Sequence, residues 1–243
     1  MRVVISQSML FPWVGLLEQV RLADVFVHYD DVQFSKGSFV NRVQLKTAAG
    51  MRWMTVPTRD LHLGQAIEEV AIAPPAQWRP RHEQLLWQSV DGAPFAGEAL
   101  ALARQVWDRG DERLGPLARR SLLALVDYFG LAANTRFVDV RDLDIPGASS
   151  ARVLDVVRRV GGTTYVTGHG AARYLDHEAF ERAGVAVEYI EYRLQPYPQR
   201  HGDFTPYVSA LDLAAQCGRS GAAFIGSGTV GWREFLAARG AAA

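Results

Sequence analysis

The hydrophobic and polar positions at the start of the chain predict a strand, a helix and a second strand. Residues 3–5 form a short apolar run, and the polar loop 6–8 follows it. Pro12 suits the first turn of a helix, and residues 25–29 are mostly β-branched or aromatic, which is typical of a buried strand. Because a helix separates the two strands, the pattern favours a parallel pair.

The middle of the chain carries two further patterns. In residues 39–57 apolar and polar side chains alternate around the Ala-Ala-Gly turn at 48–50, which predicts a β-hairpin. In residues 78–130 the apolar positions recur at helical spacing, which predicts a helical section. Beyond it, strands and helices alternate again, with strands expected at 136–140 and 164–167.

These elements together predict an α/β fold with a mainly parallel central sheet flanked by helices. The β-hairpin near residues 39–57 and the helical section near 78–130 are additions to that sheet. We expect one α/β domain over residues 1–243, and a helical subdomain at 78–130 is the alternative.

Charge and cysteine content narrow the function classes. Acidic and basic residues number 26 each, so the formal net charge is zero, which argues against nucleic acid or anionic membranes as partners. Cys217 is the single cysteine, which excludes an internal disulfide or a multi-cysteine zinc site. No apolar run approaches the roughly 20 residues of a membrane span, and no signal-peptide pattern opens the chain, so we expect a cytoplasmic protein.

Candidate chemistry follows three predicted strands, in the loops 6–8, 30–36 and 168–170. If the strands are parallel, these loops lie along one carboxyl edge of the sheet, where open α/β sheets bind ligands. The first loop contributes Ser6 and Gln7. In the third, Gly168 opens a Gly-His-Gly turn whose backbone amides could approach an anion.

Two adjacent carboxylates, Asp30 and Asp31, end the second predicted strand. If the strand continues through them, their side chains point in opposite directions, and one can line a cleft while the other caps a turn or pairs with a base; which of the two faces the cleft stays open. His169 is a candidate general acid or base, oriented by one of these carboxylates, and a turn residue is the alternative.

The predicted hairpin supplies candidate cations and an amide. Lys36, Arg42 and Lys46 could bind a phosphate or a carboxylate, and a structural ion-pair network is the alternative. Asn41 is either a buried amide that satisfies backbone groups or a ligand contact. No metal site and no bound cofactor are expected.

At this point the order of segments resembles the WbqC-like protein family of bacterial polysaccharide and natural-product gene clusters, over nearly the whole chain. The matching segments are Gln7, FPWVG (11–15), DVFVHYDDVQFSK (24–36), NRVQLKT (41–47), WMTVP (53–57), GTTYVTG (162–168), YLD (174–176), YPQ (197–199), FTP (204–206) and LDL (211–213). By position, the resemblance implies a functional set of Asp30, Asp31, Lys36, Asn41, Arg42 and Lys46. Trp13 and Tyr165 join the expected substrate-binding residues.

The chain departs from the family pattern at two places. Family members typically read His-Gln-Pro where this chain has Ser6-Gln7-Ser8, and a small residue is usual where this chain has His169. A histidine lost from one loop and gained by another at the same cleft would explain both. On that hypothesis, His169→Ala abolishes turnover without unfolding the protein.

The association of the family with sugar and secondary-metabolite pathways implies transfer of an acyl or aminoacyl group from a thioester, on a carrier protein or coenzyme A, to an amine of a sugar or natural-product intermediate. His169 or one aspartate would remove the amine proton, and backbone amides with Asn41 would stabilise the oxyanion. The alternatives are a thioester or amide hydrolase and a non-catalytic binding protein for a nucleotide-sugar or glycan intermediate. The expected partners are a small amine acceptor and an acyl carrier protein or coenzyme A thioester.

Overall fold

The structure is a computed structural model that describes residues 1–193 and 195–241. In chain order the strands are β1 (Arg2–Ser6), β2 (Val25–His28), β3 (Arg42–Thr47), β4 (Gly50–Thr55), β5 (Thr58–Arg59), β6 (Ala71–Ile72), β7 (Arg136–Asp139), β8 (Thr164–Thr167), β9 (Ala186–Ile190) and β10 (Thr229–Gly231). The α-helices are α1 (Val14–Leu22), α2 (Pro75–Val90), α3 (Ala96–Trp107), α4 (Leu114–Phe129), α5 (Ser149–Arg159), α6 (His177–Arg182), α7 (Ala210–Cys217) and α8 (Trp232–Ala241).

A six-stranded sheet in the order β10-β9-β8-β1-β2-β7 forms the centre of the molecule. Five strands are parallel, and β10 joins the edge antiparallel to β9. Counted along the chain, the parallel strands are ordered 3-2-1-4-5, which is the order of a doubly wound sheet. Successive strands are therefore added on one side of β1 up to β7 and on its other side from β8 onwards, so the switch point of the sheet lies between β1 and β8. The predicted fold, a mainly parallel sheet flanked by helices, is confirmed.

Apolar cores cover both faces of this sheet. Along β1, Val4 belongs to one core and Val3 to the other, and both side chains are fully buried. The first core also holds the apolar sides of α1, α4 and α7, and the second holds those of α5 and α6. Burial on two faces explains why the strands read as continuous β-branched runs rather than as alternating ones.

The hairpin and the helical section are both present. Strands β3 and β4 pair antiparallel around the turn at 48–50, and helices α2 to α4 occupy residues 75–129. Gly130 ends α4 in the left-handed conformation that favours glycine (φ +65°). Side chains of α2, α3 and α4 share their core with α1 and the hairpin. Whether these helices form a separate subdomain stays a prediction.

Close packing of α4 fixes the segment that carries the two aspartates. A Cβ added to Gly115 would lie 2.7 Å from Cα of Glu68, so only glycine lets the first turn of α4 approach the 3₁₀ turn Ile67–Glu69. The backbone N–H of Glu68 in turn donates to the carbonyl of Asp30 (3.1 Å). The position of Asp30 and Asp31 thus depends on a glycine that lies about eighty residues further along the chain.

Candidate functional site

A cleft of about 760 Å³ opens at the carboxyl ends of β1 and β8, where the winding of the sheet reverses. In doubly wound sheets ligands bind at this switch point, and the volume suits a small molecule. The lining residues are Ile5, Ser6, Gln7, Met9, Gln19, Tyr29, Asp31, Val32, Gln33, Gly147, Ala148, Ser149, Arg152, Val153, Tyr165, Thr167, Gly168, Gly170, Ala171 and Tyr174.

Five of the sequence-predicted site residues line this cleft. Ser6 and Gln7 come from the end of β1, Asp31 from the loop after β2, and Tyr165 and Gly168 from β8 and its following turn. The parallel registers of β1 with β2 and with β8 bring the three loops to one edge. The cleft also receives a loop that the sequence did not suggest, residues 147–149 at the start of α5.

Asp31 is the carboxylate that faces the cleft, and Arg152 of α5 holds it. Nη1 of Arg152 donates to Oδ1 of Asp31 (3.1 Å) and Nη2 donates to Oδ2 (2.5 Å), which is a bidentate pair. The same guanidinium donates to the hydroxyl of Tyr29 (3.2 Å) and, through Nε, to the carbonyl of Ile145 (2.9 Å). Arg152 is nine-tenths buried, and the pKa of its guanidinium is raised, chiefly by its hydrogen bonds to Asp31. The pair is therefore a fixed wall of the cleft.

Asp30 points the opposite way, into the protein. Its carboxylate is fully buried and accepts the backbone N–H of Ser8 (2.8 Å), the hydroxyl of Ser8 (2.7 Å) and Nη2 of Arg119 (3.0 Å). The two carboxylates point in opposite directions, since Asp31 lines the cleft while Asp30 holds a turn and pairs with Arg119, although both lie beyond the end of β2 at His28. The roles of the two residues stay predictions. Asp30 does not line the cleft; it lies beneath the loop 6–8 and holds Ser8 of that loop in place.

A buried histidine completes the network under this loop. Nδ1 of His28 lies 3.0 Å from the hydroxyl of Ser8, whose own proton goes to Asp30, so Nδ1 is the donor to that hydroxyl. Nε2 is buried and has no partner among the residues described. Burial, helped by the charge of Arg119, lowers the pKa of His28 to about 4. The Ser8, His28 and Asp30 side chains are all at least 98% buried, which makes their array structural rather than a nucleophile open to substrate.

The burial of His28 and of a second histidine, His82, predicts that the free energy of unfolding depends on pH. Burial lowers the pKa of both His28 and His82 to about 4, against about 6.5 in an unfolded chain. Between these values the unfolded chain binds more protons, so the free energy of unfolding should fall as the pH drops from about 6.5 to about 4, by up to about 3 kcal/mol per histidine. Urea unfolding at about pH 7 and about pH 5 measures this fall. His82→Gln should shrink it and His62→Gln, at an exposed position, should not; equal stability at both pH values would contradict the argument.

Three tyrosines contribute to the lining of the cleft. Burial raises the pKa of Tyr29, Tyr165 and Tyr174, so all three stay protonated at neutral pH. Tyr165 is almost fully buried, and its hydroxyl accepts from that of Thr167 (3.2 Å). The walls therefore offer hydroxyl and amide groups around a single fixed ion pair.

His169 does not enter the cleft, although the glycines on either side of it do. Its Nε2 is bonded to the carbonyl of Ile190 (2.7 Å), and its ring packs against Tyr192 and Phe235. The hydrogen bond from the ring to the neighbouring strand turns it away from Asp31, which removes the geometric basis for a relocated base. We therefore expect His169→Ala to keep turnover within about threefold of wild type, measured under saturating substrate; a loss of two orders of magnitude would restore the catalytic hypothesis.

The hairpin cations also lie outside the cleft. Lys46 is buried, and its ammonium donates to the carbonyls of Gly202 (2.8 Å) and Asp203 and to the side chain of Gln199 (3.3 Å). Groups of the segment 199–203 thus occupy the ammonium that was expected to bind a phosphate. Lys46 holds the segment 199–203 on the hairpin.

The neighbours of Lys46 have structural contacts too. The guanidinium of Arg42 stacks on Trp53 (4.1 Å from the ring centre), and Lys36 is exposed. The amide of Asn41 donates to the carbonyl of Val56 (3.0 Å), as in the structural alternative for this residue. The structure does not bring this set to the cleft.

Trp13 shapes the neighbourhood of the cleft rather than its wall. Its ring packs against Tyr192 and Tyr207, and a Cβ on Gly15 would collide with it at 2.3 Å. A Cβ on Gly168 would lie 2.8 Å from the hydroxyl of Tyr192, so glycine there preserves the approach of this tyrosine. These contacts explain why glycine occupies positions 15 and 168.

Sequence reasoning missed Arg152, which is the central cation of the site. A signal was available, because Arg152 occupies a buried position beside the valines of α5. A charged residue on the apolar side of a helix needs a partner, and a carboxylate at a strand end is the natural one. Among the residues that the structure describes, no group of three or more His, Cys, Asp or Glu side chains could hold a metal ion.

Comparison with known proteins identifies the family. The sequence profile of the WbqC-like protein family matches residues 7–223, which is nearly the whole chain. The chain belongs to the WbqC-like protein family. It is also similar to "Uncharacterized protein Rv1507c" of Mycobacterium tuberculosis (strain ATCC 25618 / H37Rv), with 31% identity over 224 residues that cover 89% of this chain and 94% of that protein. No solved structure matches this chain.

The region matched by the WbqC-like profile includes Gln7, Asp31, Arg152 and Gly168, so the cleft lies almost entirely within the family's shared sequence. Within residues 1–193 and 195–241, no helix combines the length and the apolar character needed to cross a membrane.

Proposed function

We propose that the cleft binds a small amine and that the protein transfers an acyl or aminoacyl group to it from a thioester, on a carrier protein or coenzyme A. The observation that carries this proposal is the Asp31–Arg152 pair at the switch point of the sheet. A carboxylate has about four lone-pair sites, and Arg152 uses two of them. The remaining sites can accept protons from a bound ammonium or amine.

The reaction needs a proton acceptor beside the nucleophilic nitrogen. As the amine attacks the thioester carbonyl, a C–N bond forms, and Asp31 takes the amine proton. The tetrahedral intermediate then breaks its C–S bond, and the proton moves from Asp31 to the leaving thiolate. Arg152 touches neither reactant in this scheme and serves as a positioning residue for Asp31.

Hydrogen-bond donors around the cleft support stabilisation of the negative oxygen that develops in this step. Gly147, Ala148 and Ser149 line the cleft at the start of α5, where the first backbone N–H groups of a helix lack partners within the helix. The protonated hydroxyls of Tyr29 and Tyr174 are further donors. Donors fixed before the reaction are the usual source of such stabilisation.

Direct attack is favoured over a covalent acyl-enzyme. The residues that line the cleft include no cysteine, histidine or lysine within the described chain. The hydroxyl of Ser6 donates to the carbonyl of Gln7 (3.2 Å), so no base activates it. Burial raises the pKa of Cys217, which lies outside the cleft lining and is not an activated thiolate.

A panel of acyl thioesters and amines, with products identified by mass spectrometry, tests the proposal. An N-acyl product that forms only with enzyme, thioester and amine together supports transfer. If free acid forms at the same rate without amine, the protein is a hydrolase and not a transferase. Saturable binding of an amine or a nucleotide-sugar, with no product from any pair of thioester and amine, would indicate a non-catalytic binding protein.

A further inference from the structure

A second cavity, of about 480 Å³, is lined by Arg119, which donates to Asp30, and shares no lining residue with the cleft described above. Its walls come from the end of α3, one face of α4 and the 3₁₀ turns Ile67–Glu69 and Val140–Leu143. Five arginines line it: Arg109, Arg113, Arg119, Arg120 and Arg141. So many like charges around one small cavity require compensation from carboxylates or from an anion.

Carboxylates compensate three of these arginines. Asp111 holds Arg120 in a bidentate pair (2.9 and 3.0 Å). Arg119 bridges Asp30 (3.0 Å) and Asp139 (2.8 Å). Arg141 also pairs with Asp139 and lies 2.7 Å from a carboxylate oxygen of Glu68.

The other two arginines have no carboxylate partner within the described residues. Arg113 donates only to the backbone carbonyl of Glu69 (3.0 Å), and Arg109 forms no side-chain hydrogen bond or ion pair with the described residues. Nε of Arg119 is also buried without a partner in the part of the chain that the structure describes. The side chains of Arg109 and Arg113 are both exposed, so water solvates their donors and a bound anion would replace that water. Asp127 is the one further carboxylate on the wall, which leaves two arginines against one carboxylate without an ion-pair partner in the described part of the chain.

We propose that this arginine cavity binds the phosphate or diphosphate group of a small ligand. Guanidinium groups match phosphate oxygens with paired N–H donors and stay charged at any physiological pH. A recess of this volume admits a small molecule, whereas an acidic protein or a nucleic acid would need an open basic surface. The proposal rests on the arginines alone and is independent of the chemistry in the cleft.

Isothermal titration with inorganic pyrophosphate, at constant ionic strength set with KCl, tests the site. The double variant Arg109→Gln/Arg113→Gln should lose at least about tenfold in affinity, because two charge-assisted contacts are removed. The matched control is Arg52→Gln/Arg81→Gln, which removes the same charge from two exposed arginines outside the cavity and should bind as wild type does. Far-UV circular dichroism checks that both variants are folded.

Two outcomes would overturn the proposal. One is the absence of measurable pyrophosphate binding to the wild-type protein at millimolar concentration. The other is an equal loss of affinity in the cavity variant and in the control variant, which would indicate attraction by net charge alone.

Discussion

Replacing Asp31 by asparagine is expected to lower the rate of acyl transfer by about 100-fold or more. Asparagine has nearly the same shape and can still accept a hydrogen bond from Arg152, but it cannot take the amine proton. The rate is measured with the thioester and amine that give product in the panel. Because the buried charge of Arg152 loses its counter-ion, we also expect a loss of about 1–3 kcal/mol in unfolding free energy, with the fold retained.

The matched control for this variant is Asp155→Asn. Asp155 lies on α5, the helix of Arg152, but it is exposed and does not line the cleft. Its rate should equal that of wild type. If Asp31→Asn also kept the wild-type rate, Asp31 would not be the base, and the proposed mechanism would be wrong.

Replacing Asp30 by alanine is expected to cost about 2–4 kcal/mol of unfolding free energy, because a fully buried carboxylate that accepts three hydrogen bonds is removed, while the partly exposed Arg119 keeps its pair with Asp139. The change removes the acceptor of the Ser8 N–H, of the Ser8 hydroxyl and of Arg119. Urea unfolding followed by circular dichroism measures the loss.

Two comparisons make the Asp30 result specific. Asp155→Ala, at an exposed position, should change the unfolding free energy by less than about 0.5 kcal/mol. Ser8→Ala should cost less than Asp30→Ala, because the pair with Arg119 survives. A loss below about 1 kcal/mol in Asp30→Ala would mean that this network does not hold the loop under the cleft.

The place where the loops meet could be predicted from the sequence. The meeting of the loops after β1, β2 and β8 followed from the parallel arrangement that intervening helices impose, which acts through chain connectivity. The opposite directions of Asp30 and Asp31 were also expected, but on the premise that the strand continues through them. Strand β2 ends at His28, so contacts with Ser8 and Arg152, and not alternation along a strand, hold the two carboxylates.

The failures concern partners far apart in the sequence. Alternation placed Lys46 on a polar face, but its partners Gly202 and Asp203 lie 156 and 157 residues away. Arg152 lies 121 residues from Asp31, and no local pattern joins them. For His169, the glycines on either side predicted a turn at the cleft, whereas the direction of the ring depends on the carbonyl of Ile190 in the neighbouring strand.

The decisive test of acyl transfer at this cleft is the amine dependence of thioester consumption, compared between wild type and Asp31→Asn. We expect consumption by wild type to rise with amine concentration to saturation and to yield N-acyl product in equal amount. In Asp31→Asn the amine-dependent part should fall by about two orders of magnitude. Consumption that is independent of amine, or equal in the two proteins, would contradict acyl transfer at this cleft.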